Sequence, residues 1–155
     1  MDNKKLLYLG ILIFFLYYFK RDVKMKPLKI NSGFKPKNRP NHNGVDFAAI
    51  KGTKIILKTP GKVLRTYTQC TEGAKTCGGG YGNFIEIQHN PDVNTIYAHL
   101  SKINVTPGQY INEGQIIGET GNTGNSFGAH LHWEYKLKGV KSNGTSLASN
   151  FFGLV

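Results

Sequence analysis

The sequence predicts an all-β domain, antiparallel sheet closed into a barrel-like sandwich, preceded by an N-terminal hydrophobic membrane helix. Three observations predict it. Nineteen glycines and 6 prolines in 155 residues supply tight turns at a density that suits short strands better than a helix bundle. Between those turns, residues 53–59, 61–68, 83–89, 94–100, 109–120 and 130–137 are rich in Ile, Val, Tyr and Thr, which fit a pleated, half-buried surface. One apolar run near the N-terminus, bracketed by basic pairs, is of a different kind. The length suits one domain with a short appendage.

In chain order, Lys4-Lys5, an uncharged run over 6–19 and Lys20-Arg21 have the layout of a membrane segment. The run covers about 21 Å as a helix against a hydrocarbon core of about 30 Å, so spanning requires snorkelling flanks, with Tyr17 and Tyr18 suited to the interface. No small-x-small cleavage site follows, so residues 1–23 read as an uncleaved anchor. Residues 24–40, rich in Lys, Asn and Pro without apolar periodicity, read as a basic linker, and 41–155 as the folded domain. The charge follows this division. Of the net +11, the first forty residues carry +8, from ten basic and two acidic side chains, so the domain is only mildly basic and nucleic acid is not expected as a partner. The larger basic cluster lies after the apolar run, which by the positive-inside rule would hold the domain in the cytoplasm. The cysteines point the other way.

Within the domain, Thr59-Pro60-Gly61, Gly78-Gly79-Gly80 and Thr106-Pro107-Gly108 end strands at short intervals, and no helix is expected after Phe19. Cys70 and Cys77 flank a six-residue loop with no second pair for a zinc knuckle. A disulfide closing that loop is the better reading, and it favours an oxidising compartment. The glycines of 77–82 and 121–128 lack the Lys-Ser/Thr of a phosphate loop and read as walls of a groove.

Histidine carries the chemistry. His42 and Asp46 form H-x-G-x-D, His130 and His132 form H-x-H, and His99 ends a β-rich stretch. Residues two apart on a strand share a face, so His130 and His132 converge, and the even spacing of His42 and Asp46 does the same in extended chain. Two imidazoles and a carboxylate leave zinc a fourth position for water, the open coordination of a catalytic site. His42, Asp46 and one of the H-x-H pair then leave the other and His99 for proton transfer. A lone strand histidine is usually a surface or hydrogen-bonded residue, but two such motifs in one short chain favour a metal set. Glu134 shares the His130 and His132 face and could orient an imidazole. His89, before Asn90-Pro91, reads as a surface turn residue.

H-x-G-x-D, then Tyr97-x-His99-Leu-Ser, then Gly121 to Glu134 with its H-x-H, together with the Gly-Gln-Tyr-Ile-Asn-Glu-Gly-Gln-Ile-Ile-Gly stretch after Pro107, resemble the lysostaphin-like, LytM-type zinc endopeptidases with a duplicated hybrid motif fold. The resemblance implies that His42, Asp46 and His132 bind one Zn2+, that His99 and His130 are the catalytic pair, and that peptidoglycan stem or bridge peptides are the substrate. Relatives carry Ser-Thr-Gly-Pro before the histidines and Phe after. Here Ser126-Phe127-Gly128-Ala129 and Trp133 replace them, which affects the groove rather than the chemistry. The implied setting is an anchored peptidase acting outside the cytoplasmic membrane, or in the membrane of a phage virion. Two other classes fit less well. A biotinyl or lipoyl carrier would need a modified lysine hairpin that is absent, and a catalytically silent LytM-type module that binds or regulates other wall hydrolases would be expected to lack ligands that are all here.

Overall fold

The computed structural model describes residues 24–155; the expected anchor, residues 1–23, lies outside them. No helix among the described residues is long and apolar enough to cross a membrane. Among the described residues, twelve strands form two antiparallel sheets. The larger contains β1 (Ile30–Ser32), β2 (Val45–Ala48), β4 (Gly61–Tyr67), β5 (Phe84–Asn90), β6 (Val93–Ala98), β8 (Tyr110–Ile111), β10 (His130–Leu137) and β11 (Val140–Ser142). They run in the order β1-β2-β10-β6-β5-β4-β8, with β11 on β10. The smaller sheet orders β12 (Phe152–Leu154), β3 (Lys54–Leu57), β9 (Ile116–Thr120) and β7 (Leu100–Ile103).

Side-chain alternation decides what faces what. On β10, Leu131 and Trp133 point into a core shared with Val45, Phe47, Ile85, Ile87 and Tyr97 of the same sheet and Ile55, Leu57, Leu100, Ile117, Phe152 and Leu154 of the smaller one. His130, His132 and Glu134 therefore face away from that core. Trp133 is the centrepiece, in edge or tilted contact with Phe47, Phe151 and Phe152. Strand pairing then aligns the chemistry: His132 is directly opposite Asp46 of β2 on one side and Ala98 of β6 on the other, one residue before His99.

Four local outcomes differ from the sequence expectation. The stretch expected as linker contributes β1, which pairs with β2, and Lys26 bridges Leu154, so the sheet begins before residue 41. The 109–120 stretch, a single run by composition, is the strand-turn-strand of the resembled family, and the turn at Gly114 (φ 84°) divides it between the sheets, β8 in the larger and β9 in the smaller. Short helical turns do follow Phe19: 3-10 turns at Cys77–Gly80 and Thr145–Leu147, then one α-helical turn at Ala148–Phe151 leading into β12. His89 is no free turn residue. Its Nδ1 meets the Pro60 carbonyl at 2.9 Å and its Nε2 the Thr95 hydroxyl at 2.8 Å, with the ring edge-on to Phe151.

Candidate metal centre and active site

The structure brings all five expected residues to one point on the outer face of the larger sheet. Asp46 and His132 arrive on paired strands. His42 arrives differently from the extended-chain expectation: β2 starts only at Val45, and a turn over 36–42, closed by hydrogen bonds from the Arg39 amide to the Pro36 carbonyl and the His42 amide to the Arg39 carbonyl, swings its ring over the strand. Gly44 permits this. A Cβ there would lie 2.6 Å from the His132 ring and 2.7 Å from the Trp133 carbonyl, so H-x-G-x-D needs its glycine for close approach.

Hydrogen bonds outside the cluster aim the lone pairs inside it. His42 Nδ1 donates to the Gly33 carbonyl at 2.7 Å, and His132 Nε2 donates to Glu134 Oε1 at 3.3 Å, which leaves His42 Nε2 and His132 Nδ1 as acceptors. Those two nitrogens are 3.2 Å apart and lie 2.9 and 2.8 Å from Asp46 Oδ1. Three acceptors so placed repel one another unless a cation lies among them. Their spacing is close to the edge of about 3.3 Å of a tetrahedron built on metal-ligand bonds of about 2.0–2.1 Å. Donor chemistry and geometry both fit zinc. The electrostatics agree. Burial alone would raise the Asp46 pKa, but the imidazoles of His130, His132 and His42 packed around its carboxylate hold it far below the usual carboxylate range, so it is ionised. Burial would lower the His132 pKa, but the carboxylates of Asp46 and Glu134 beside its ring raise it, so the cluster attracts positive charge.

His99 and His130 sit beside this set, their ring centroids 4.8 Å apart. His99 Nδ1 donates to the Thr123 carbonyl at 2.7 Å and His130 Nδ1 to the Gly128 carbonyl at 2.8 Å, so each presents Nε2 as a lone pair; for His130 that nitrogen is 3.5 Å from Asp46 Oδ1. Burial, reinforced by the neighbouring His130 and His132, pushes His99 down to about 3, and it is neutral at physiological pH. Its backbone is strained at φ 62°, held there by the His99 amide donating to the Tyr81 carbonyl at 2.9 Å.

Glu134 is 2% exposed, and Oε1 collects Tyr81 Oη at 2.8 Å and Lys141 Nζ at 3.1 Å besides His132. Burial would raise its pKa, but the His132 and Tyr81 hydrogen bonds and the Lys141 charge hold it down. Sequence reasoning had weighed Glu134, yet missed its partners Tyr81 and Lys141 and the carbonyl of Thr123. These act through long-range pairing that leaves no local pattern.

Two clefts meet at the histidines. One, of about 530 Å³, is lined by His42, Tyr81, His132, Glu134 and Lys141; the other, of about 630 Å³, by Ser32, Asp46, Ser126, Phe127 and His130; Arg39, His99 and Asn125 line both. The glycine loops expected as groove walls do stand there, Gly79 and Gly80 in the first cleft and Gly128 in the second. Cys70 and Cys77 are disulfide-bonded, with Cα atoms 5.7 Å apart, and the loop they close carries Lys75, whose ammonium reaches the Ser126 carbonyl and lies 4.2 Å from the centre of the Phe127 ring.

Comparison with known proteins agrees with this geometry. Residues 40–144 match the profile of peptidase family M23. The chain is 39% identical over 107 residues to the DD-carboxypeptidase/endopeptidase Mpg of Neisseria meningitidis, covering 69% of this chain and 23% of that protein. It spans about a quarter of the length of the curated relatives it matches. Among solved structures, the catalytic domain of the antimicrobial peptidase lysostaphin from Staphylococcus simulans superposes with a TM-score of 0.66 at 30% identity, over 79% of this chain and 92% of that one. A zinc containing peptidase from Vibrio cholerae superposes with a TM-score of 0.64 at 33% identity, over 75% of this chain and 35% of that one. With its motifs in family order and their side chains gathered on one sheet face, the chain belongs to peptidase family M23.

Proposed function

We propose that this protein is a zinc-dependent endopeptidase that hydrolyses peptide cross-links of bacterial peptidoglycan. The observation that carries the reading is the convergence of three inward-facing acceptors, His42 Nε2, His132 Nδ1 and Asp46 Oδ1, beside two histidines whose Nε2 lone pairs are free for proton transfer. Zinc held by His42, Asp46 and His132 would polarise a carbonyl and bring a water pKa toward about 7. The chain supplies the rest. His99 and His130, each fixed by an Nδ1–H bond to a carbonyl, both offer Nε2 to the water proton; the one that takes it donates to the developing negative charge and then passes that proton to the leaving amine. Ionised Asp46 stabilises the imidazolium of His130 as it forms. Glu134 keeps the His132 proton on Nε2 and so leaves Nδ1 as the donor atom.

The peptidoglycan assignment rests on the relatives: ShyA of Vibrio cholerae, 38% identical over 122 residues, is named a peptidoglycan DD-endopeptidase, and Mpg a DD-carboxypeptidase/endopeptidase. The working location we propose is beyond the cytoplasmic membrane, tethered by the apolar run 6–19, or on a phage virion membrane; the disulfide supports an oxidising setting. The test is zymography on purified sacculi with wild type, His132→Ala and a chelator. Clearing that disappears on chelation and in the variant, and returns to the wild type with zinc, is expected. Sacculi of several chemotypes left intact by zinc-loaded protein would overturn the reading.

A further inference from the structure

We infer that Arg39 recognises a carboxylate of the substrate, and that the preferred cross-link is one bearing a free carboxylate on the carbon attached to the scissile nitrogen. The inference rests on the peptidase reading above and deepens it.

Arg39 lies where the two clefts join, lining both of them with a side chain 51% exposed. It is nevertheless fixed. Its Nη1 donates to Asp46 Oδ2 at 2.9 Å and to Ser32 Oγ at 3.3 Å, leaving the Nε and Nη2 hydrogens with no protein acceptor among the described residues. The guanidinium is thus one carboxylate away from the reacting centre, with its remaining donors in a planar fork suited to a second carboxylate. Asp46 balances this charge only in part, because Oδ1 of the same carboxylate already serves His42 and His132.

The other cations at the groove are committed elsewhere. Lys141 is bonded to Glu134 and to Tyr81 Oη at 2.6 Å, and Lys75 to the Ser126 carbonyl. Across the same cleft, Phe127 stands 90% exposed and offers an apolar face to a small side chain beside that carboxylate. Glycine bridges present neither group. A D-alanyl cross-link to an amine of diaminopimelate presents both, a methyl on one side of the bond and a carboxylate on the other.

The experiment uses two synthetic cross-linked peptides, D-alanyl to diaminopimelate, identical except that the carboxylate next to the scissile nitrogen is free in one and amidated in the other. Zinc-loaded wild type should favour the free acid by about ten- to hundredfold in kcat/KM, the range of a charged hydrogen bond. In Arg39→Gln, which keeps a donor for Asp46, the ratio should fall to near one whatever the absolute rates; Arg39→Lys should restore part of it, keeping charge without the fork. A wild type indifferent to amidation, or an Arg39→Gln variant with the wild-type ratio, overturns the inference. If neither peptide is cut, the reaction assignment fails, and titration calorimetry decides this point by the same ratio in Kd.

Discussion

His132 shows how much one residue depends on its neighbours. Its imidazole is held by Glu134 on one nitrogen, meets Asp46 with the other, and closes over a glycine that has no side chain to obstruct it. Glu134→Gln should keep the fold but lower zinc affinity about 10- to 100-fold, measured by competition with a chromophoric chelator, because the imidazole loses its anionic orienting partner. Gly44→Ala should act on both stability and site. Its Cβ has a ring and a backbone carbonyl closer than 3 Å, so a loss of about 1–3 kcal/mol in denaturant melts is expected together with loss of activity. At this scale the sequence was most legible. Strand parity placed His130, His132 and Glu134 on one face, and the resemblance assigned all five site residues to positions that the fold brings together. It could not show the positive φ of His99 or the ties of Arg39 to Asp46, because both depend on segments that meet only after folding.

Among the elements, the segment from Cys70 to Gly82 does more than close a loop. Asn83, just beyond it, ties its first residue Cys70 to Leu100, its Gly80 carbonyl receives the Asn125 amide, and its Tyr81 carbonyl holds His99. Cys77→Ser should cost about 2–3 kcal/mol by the entropy of so short a loop, read from denaturant midpoints with and without reductant. The pairing of β4 with β5 carries a pH signature of its own. Burial lowers the His89 pKa against the Pro60 carbonyl that supports its charged form, so the folded state binds fewer protons than the unfolded chain below about pH 6.5. Stability therefore falls as pH drops through that region. Thermal melts at pH 7.5 and 5 should show a larger loss for wild type than for His89→Gln. Elements set by turn residues were readable, since Pro60-Gly61 and Pro107-Gly108 mark real breaks. β1 and β12 were not: each is three residues long and exists because a neighbouring strand offers it an open edge.

At the scale of the whole fold, the described residues form a sandwich whose inner sheet faces make an apolar core while the outer face of the larger sheet holds ionised and neutral groups in close array. Metal binding should couple to that fold. Zinc at a hundred times its Kd adds about 2.7 kcal/mol to stability, so chelation should lower the melting temperature and zinc should restore it, with His132→Ala insensitive to both. The sandwich class was legible from turn density and strand composition, whereas strand order was not, because β10 pairs with β2 across more than eighty residues of intervening chain. The two clefts that meet at Arg39, His99 and Asn125 bear on where the proposed peptidase works. A pocket that grips a chain terminus must wait for one to be offered. A trough with reacting groups at its middle accepts a strand side-on, so a tether stretched between two anchored points can be laid in and cut without either end being free.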